Sequence, residues 1–324
     1  MKSIKSVVLI TIAIVFLLTI KTLAFNPADV ETIQNEDGSI TKIYKRNVNA
    51  SLRSAGNVDY EETKKMLLEL GMEQDFIDNL TEEDLEHYSN STNLVGTITY
   101  YKTDENNNKT VVSEEEAYQE VNRIKNNISL RSAREQETYE DSYMRVYHLV
   151  SQYRDTEEFL FSTDARWLWM PVFRGKDSIG SCAIHVDADT GSGRGYYSYD
   201  ISTNRNGRIE NNQYYKNIFA EDFQDATTLE SSGMATVIEL PIDIERDGYN
   251  IVHTNFKAHA QHYASISFPG SETHFRSYGT YDHARFIIDT PKISIDGSGG
   301  TIGLDIFYGN EKRTAKVYVE YIPR

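Results

Sequence analysis

The hydrophobic and polar positions of this chain change their period part-way along it. Within residues 58–127, apolar side chains recur at helical spacing, as in Met66, Leu67 and Leu70. From residue 142 onward they alternate, as in residues 143–150, which is the period of a strand. The pattern predicts a mainly β protein: an antiparallel β-sandwich or jelly-roll-like C-terminal domain, preceded by a small α-helical (α+β) N-terminal region.

Capping residues mark where the predicted helices begin and end. Asp59 and Thr81 each precede a helical stripe, and Gly71 is suited to end the first helix. Ser113 followed by Glu116 has the spacing of a capping box and predicts a further helix.

Turn residues predict several hairpins. Asn106, Asn107 and Asn108 separate two strand-like runs, and Asn206-Gly207 and Asp247-Gly248 lie within the alternating half. Asn-Gly and Asp-Gly favour the tight turns that join antiparallel strands.

The same changes of composition divide the chain into five segments. They predict a signal peptide at 1–24, a polar leader or linker at 25–57, a small acidic helical region with a hairpin at 58–127, a linker at 128–141 and a β-sandwich domain at 142–324.

The first segment has the form of a secretory signal. Lys2 and Lys5 precede an apolar run from Val7 to Ile20, which as a helix is about 21 Å long, against roughly 30 Å of membrane hydrocarbon. We therefore expect cleavage after Ala24, a secreted protein and no membrane span after cleavage. The alternative is an uncleaved N-terminal membrane anchor.

The net charge of the chain narrows the range of expected binding partners. The chain has 33 basic and 49 acidic residues and a net charge of −16. This charge repels phosphate backbones, so nucleic acid is not expected as a partner. An extracellular glycan, peptide or protein remains. Cys182 is the one cysteine, so no intramolecular disulfide can form, and we expect it in the core.

Searches for catalytic and cofactor motifs find nothing. The sequence contains no HExxH, GxSxG or Walker loop. Asp187 and Asp189 begin a run like a calcium loop, but Gly191, Ser192 and Ser198 stand where an EF-hand needs an oxygen ligand, glycine and glutamate. No catalytic residue, metal site or cofactor is predicted, and calcium is the one ion that the sequence leaves open.

Candidate ligand-binding residues come from strand alternation. His259, Gln261 and Tyr263 share the polar face of a predicted strand, whereas His262 lies on its apolar face. A turn at Gly270-Ser271 would place the next strand beside it. In that register His259 faces Asp282, Gln261 faces Thr280, and Tyr263 faces Tyr278. Trp167 and Trp169, two residues apart, are predicted to share a face and are candidates for stacking on a sugar.

Three strings resemble segments of uncharacterised exported proteins of low-GC Gram-positive bacteria. They are Gly71–Leu80, Arg166–Pro171 and Tyr278–His283. The resemblance implies the same layout of signal peptide, short acidic helical region and β-rich C-terminal half, and it implies no activity.

The sequence favours an exported, non-enzymatic binding or interaction module. One alternative is a secreted hydrolase whose site is assembled only in the fold, and another is a toxin, antimicrobial or immunity protein. A His–Asp pair in a cleft would favour the hydrolase, a tyrosine-lined sheet face would favour binding, and an exposed amphipathic hairpin would favour a toxin.

Overall fold

A computed structural model provides the structure of the chain. It describes residues 29–46, 59–106, 108–128, 141–154, 156–171, 176–184, 186–189, 191–218, 221–224, 231–246, 249–266, 275–283, 293–295, 302–304 and 314–321. The predicted cleavage site after Ala24 and the Gly270-Ser271 turn lie outside these residues.

Four helices and eighteen strands are described. The helices are α1 (Tyr60–Leu70), α2 (Gln74–Ile77), α3 (Glu82–Asn90) and α4 (Glu114–Ile128). The strands are β1 (Val30–Gln34), β2 (Ile40–Lys45), β3 (Ser91–Thr103), β4 (Lys109–Val112), β5 (Ser142–Tyr153), β6 (Glu158–Trp169), β7 (Lys176–Ile184), β8 (Val186–Ala188), β9 (Arg194–Arg205), β10 (Arg208–Ile218), β11 (Glu221–Gln224), β12 (Ser231–Glu239), β13 (Ile244–Arg246), β14 (Tyr249–Ile266), β15 (Phe275–His283), β16 (Ile293–Ile295), β17 (Ile302–Leu304) and β18 (Thr314–Tyr321). Among the described residues, no helix is both long and apolar enough to cross a membrane.

The helices of the acidic region are capped as the sequence predicts. The Asp59 side chain accepts from the backbone N–H of Glu62, and Gly71 ends α1 at φ 103°. Thr81 and Asp84 form a reciprocal capping box at the start of α3. These bonds satisfy backbone N–H groups that have no partner inside the helix.

Helix α4 also begins as predicted and packs on the sheet. The Ser113 hydroxyl accepts from the backbone N–H of Glu116 at 3.1 Å. Ala117, Val121 and Ile124 are buried along the apolar side of the helix. Their i, i+4 and i+7 spacing places them on one face.

The strands form two main sheets. The first has 11 strands, in the order β1-β2-β3-β5-β6-β14-β9-β10, with β4, β8 and β13 paired beside this path. The second has 5 strands in the order β11-β12-β7-β15-β18. Their ladders are antiparallel, so the predicted mainly β, sandwich-like class is confirmed.

The first sheet lies between the helices and the second sheet. One buried cluster joins helices to this sheet and includes Met66, Leu70, Phe76, Tyr88, Tyr147 and Leu149. Another joins the two sheets and includes Met144, Val146, Trp167, Ile179, Phe256 and Tyr281. Alternate side chains of the central strands therefore enter two different cores, and both faces of these strands are buried.

Three predicted hairpins are confirmed by the pairing. β3 pairs with β4, and β13 pairs with β14 with Ile244 opposite Ile251. β9 pairs with β10 up to Arg205 and Arg208, with a two-residue turn between them. That turn has Asn206 at φ 50° and Gly207 at φ 85°, as a type I′ turn requires.

The predicted pairing of β14 with β15 is wrong. β14 pairs with β6, β8 and β9 in the first sheet, whereas β15 pairs with β7 and β18 in the second. The alanines of β14, such as Ala258 and Ala260, pack against the second sheet. The chain therefore crosses between layers after β14 instead of folding back within one sheet.

The first sheet includes strands from both sides of the predicted linker at 128–141. β1 and β2 form in the segment predicted as a polar leader or linker. β2 pairs with β3, and β3 pairs along its length with β5. The predicted segment boundaries stay predictions.

Candidate functional site

A buried histidine–aspartate pair lies beneath the helices. β14 and β6 place His259 directly across from Asp164, and the Nδ1 atom of His259 is 2.5 Å from Oδ1 of Asp164. The exposed fractions of the two residues are 4% and 0%. The predicted solvated face is thus covered, because Phe76 of α2 packs with its ring centroid 5.9 Å from that of His259.

A chain of hydrogen bonds continues from this pair into α3. The Nε2 atom of His259 lies 2.9 Å from Oε1 of Gln261, and Nε2 of Gln261 donates to Oδ1 of Asp84 at 2.6 Å. Arg194 of β9 forms an ion pair with the same carboxylate, and the Tyr263 hydroxyl approaches it at 3.4 Å. Asp84 therefore connects α3 to β9 and β14.

The pKa directions in this chain follow from burial and charge. Burial alone would lower the pKa of His259, but the Asp164 carboxylate outweighs it and raises that pKa. Burial would raise the pKa of Asp84, but Arg194 and hydrogen bonds from Thr81 outweigh it and lower that pKa. Burial raises the pKa of Asp164 as well, although His259 and Arg145 act against it. The directions for His259 and Asp84 favour their charged forms, whereas burial works against the charge on Asp164.

A second group of charges holds α2 to the sheet. Glu73, immediately before α2, pairs with Arg166 at 2.7 Å and with Arg145 at 3.6 Å. Asp75 pairs with Lys257 of β14. Because Arg145 and Lys257 are buried, losing their partners would leave buried charges uncompensated.

Two further histidines lie between the sheets. Nδ1 of His148 is 3.1 Å from the Ser162 carbonyl oxygen, and Nε2 is 2.7 Å from the Ser277 hydroxyl. His262 Nδ1 lies 3.1 Å from the Ser181 hydroxyl. Burial lowers the pKa of both histidines to about 3. The predicted position of His262 on the apolar face is confirmed.

The two tryptophans do not share a face. Tyr143 pairs with Trp169 and Met144 with Trp167, so the register shifts by one residue at this point. Trp167 lies between the sheets and donates to the Tyr281 hydroxyl at 3.0 Å, whereas Trp169 packs against the core on the helix side. The β-bulge separates them, since an extra residue reverses the alternation.

The remaining predicted binding residues are distributed over different layers. Tyr278 and Asp282 are buried in the second sheet, and Tyr263 is partly buried on the helix side of the first. Asp187 and Asp189 are exposed near the end of β8. No group of three or more His, Cys, Asp or Glu is placed to hold a metal ion in the part of the chain that the structure describes.

The β9–β10 hairpin carries an aromatic surface. Tyr199 and Tyr214 stack on one face with ring centroids 4.7 Å apart. Tyr196 and Tyr215 stack on the other face at 5.0 Å. Tyr215 is 45% exposed, so this ring is held in place and still accessible.

Amide side chains continue the row on the Tyr215 face. Asn211, Gln213 and Asn217 alternate with residues that point the other way, and all three are exposed. Each amide both donates and accepts hydrogen bonds. Asp200 of the neighbouring strand accepts from the Asn255 side chain at 3.1 Å. Asn211, Gln213, Tyr215 and Asn217 therefore combine an accessible ring with neutral amides, beside the carboxylate of Asp200, which lies opposite Gln213.

The comparisons with known proteins find matches among solved structures but no matching family or curated protein. No protein family model matches the chain, and no curated protein matches its sequence. Thirty-one chains of solved structures match it. One is the NetB toxin of Clostridium perfringens in its membrane-inserted form, with 8% identity, 44% of this chain covered, 78% of that chain covered and a TM-score of 0.16. A TM-score of this size carries no argument about fold or function.

Sequence reasoning missed several partners in these sites. Asp164 was detectable as an acid in the middle of a predicted strand, and Asp84 as a capping acid. Tyr214 and Tyr215 follow the Asn206-Gly207 turn. Because β10 folds back along β9, these tyrosines come to lie near Tyr196 and its neighbours, which precede the turn. The sequence offers no signal for the contact between Asp84 and Gln261, because it joins distant segments.

Proposed function

We propose that this chain is an exported, non-enzymatic binding module that recognises a neutral glycan through one face of β10. We call this surface, which consists of Asn211, Gln213, Tyr215 and Asn217, the glycan face. The observation that carries the proposal is the Tyr215 ring, which stacks on Tyr196 and remains 45% exposed. A sugar ring has an apolar face of C–H groups and a rim of hydroxyls. A fixed aromatic ring suits the first, and amides that donate and accept suit the second.

The row on this face is neutral, which favours a glycan over a charged ligand. Ile209, Asn211, Gln213, Tyr215 and Asn217 carry no charge. An acidic or basic peptide would need complementary side chains, and the row itself offers none. The charge beside it is Asp200, opposite Gln213, which is partly buried and accepts from the Asn255 side chain. The signal-like N-terminus is consistent with an extracellular ligand, and export itself remains part of the proposal.

The buried His259–Asp164 pair supports a structural role over a hydrolase. Both ring nitrogens of His259 contact side-chain oxygens, one of Asp164 and one of Gln261. A general base needs a nitrogen within reach of a substrate proton. The pair instead joins β6, β14 and α3 beneath the helices.

A toxin that inserts a β-hairpin gains less support from the β9–β10 hairpin. A strand of 9 to 11 residues can cross a membrane if one face is apolar. One face of β10 carries Glu210 and Lys216, and the other carries Asn211 and Gln213. Neither face is apolar throughout.

Tyr215→Ala should weaken glycan binding at least about 10-fold, or about 1.4 kcal/mol, because it removes the stacking surface. A glycan array identifies a bound sugar, and calorimetry then compares the variants. Tyr215→Phe keeps the ring and should bind within about threefold of the native chain. Tyr118→Ala is the matched control, since Tyr118 is 39% exposed on α4.

Two outcomes would refute this function. One is a native chain that binds no glycan on the array. The other is a bound glycan whose affinity is the same for Tyr215→Ala and Tyr118→Ala.

A further inference from the structure

β10 ends the first sheet among the described strands and leaves its outer edge open. The strand has 11 residues, and the side chains from Arg208 to Gln213 are exposed. An edge strand presents backbone N–H and C=O groups to any other strand that can pair with it.

The usual protections of an edge are missing from the middle of β10. Residues 211–215, Asn-Asn-Gln-Tyr-Tyr, contain no charge and no proline, and charges, prolines and short strands are what normally prevent edge pairing. β1, at the opposite edge, has only 5 residues and is protected by its length.

We propose that two copies of this chain form a symmetric dimer by pairing their β10 strands antiparallel about Gln213. In this register Glu210 of each copy lies opposite Lys216 of the other, because both are three residues from Gln213. Oppositely charged side chains that face each other across an antiparallel pair stabilise it. Asn211 then faces Tyr215, and Asn212 faces Tyr214. The strand is therefore complementary to itself.

The charge of the hairpin also favours approach along this edge. Arg194 is paired with Asp84, and residues 195–218 contain Arg205, Arg208 and Lys216 against two acids, Asp200 and Glu210, so their net charge is +1. The whole chain carries −16. Two acidic molecules repel each other, and a basic edge reduces that repulsion where they meet.

The dimer does not depend on the proposed glycan binding. Edge pairing uses backbone groups, whereas the glycan face consists of side chains that project from the sheet. In the dimer the two rows of Asn211, Gln213, Tyr215 and Asn217 lie on one continuous surface, which strengthens attachment to a repeating ligand.

Sedimentation of the full chain, isolated from an expressing culture, tests the dimer. Between about 1 and about 100 μM we expect a reversible monomer–dimer equilibrium. Lys216→Glu replaces two attractive pairs by two repulsive ones, so it should weaken dimerisation at least about 10-fold. The double variant Glu210→Lys with Lys216→Glu restores attractive pairs between the copies, although it breaks the pair of Glu210 with Arg208 within β10. It should therefore dimerise at least about 10-fold more tightly than Lys216→Glu alone.

Lys64→Glu is the matched control, since Lys64 lies on α1 in a pair with Glu61, and it should leave the constant unchanged. Should Lys216→Glu lower the melting temperature, Glu210→Lys provides the same test from the other side.

The dimer is refuted if the native chain stays monomeric over this range, if assemblies larger than a dimer form, if single reversals have no effect, or if the double variant fails to recover. Glycan binding is measured separately with Tyr215→Ala, so it can stand when the dimer fails.

Discussion

Asp164→Ala should lower the free energy of unfolding by about 3 to 5 kcal/mol, because it leaves one member of a buried charged pair without its partner. Asp164 is fully buried, and its Oδ1 atom lies 2.5 Å from Nδ1 of His259. Without the carboxylate, burial would lower the pKa of His259, so the ring would have to lose its proton or remain charged in a place that does not solvate it. Equilibrium unfolding in urea at pH 7 measures the loss.

Replacing both Asp164 and His259 shows whether the two residues stabilise the fold as a pair or independently of each other. Asp164→Leu with His259→Leu removes both charges together and should be much less destabilising than Asp164→Ala, since paired apolar replacements at such sites are often neutral. Asp187→Ala removes an exposed acid of β8 and should change stability by no more than about 0.5 kcal/mol. A loss below about 1 kcal/mol for Asp164→Ala would show that the pair is solvated or not formed.

Acid should destabilise the fold strongly through the histidines between the sheets. Burial lowers the pKa of His148 and of His262 to about 3, below the unfolded value near 6.5. Their contribution is therefore complete above the unfolded pKa and is lost as the pH falls toward the folded pKa. Between pH 7 and pH 4.5 each of the two histidines should lower the free energy of unfolding by about 3 kcal/mol.

Comparing His262→Phe with the native chain isolates this effect. Burial raises the pKa of Asp282 to about 6, so protonation of this carboxyl stabilises the fold over the same pH interval. Asp282 is present in both proteins, and its contribution cancels in the comparison. The variant should lose about 3 kcal/mol less than the native chain between pH 7 and pH 4.5. NMR titration gives the second readout: the imidazole of His262 should stay neutral at pH 5, whereas that of His259 should be charged. Equal losses in both proteins, or a midpoint near 6.5 for His262, would contradict the burial of this ring.

Local patterns were enough to predict most of the individual elements. Asp59, Gly71, Thr81 and Ser113 marked helix ends because capping depends on residues within one turn. Asn206-Gly207 marked the end of a hairpin because that turn needs positive φ at both positions. The burial of His262 followed from alternation, which is also a local property.

Alternation alone could not decide what covers each face of a strand. His259 and Gln261 stand at polar positions, and the sequence indicates a solvated face for them. In the structure this face is buried under α2 and α3, with Asp84 arriving from far along the chain. The period of a strand assigns side chains to two faces, but which layer packs on each face depends on the whole topology.

The sequence by itself determined the mainly β class, the capped acidic helices and the tight turns, because each depends on residues close together in the chain. Only the tertiary structure decided that β14 pairs with β6 and β9 instead of β15, and that a bulge separates Trp167 from Trp169. It also placed Tyr215 on Tyr196, a contact on which the proposed glycan face depends. A shift of one residue in the pairing moves every side chain of a strand to the opposite face, and it costs little in local free energy. The pairing is therefore selected only by the packing of whole layers.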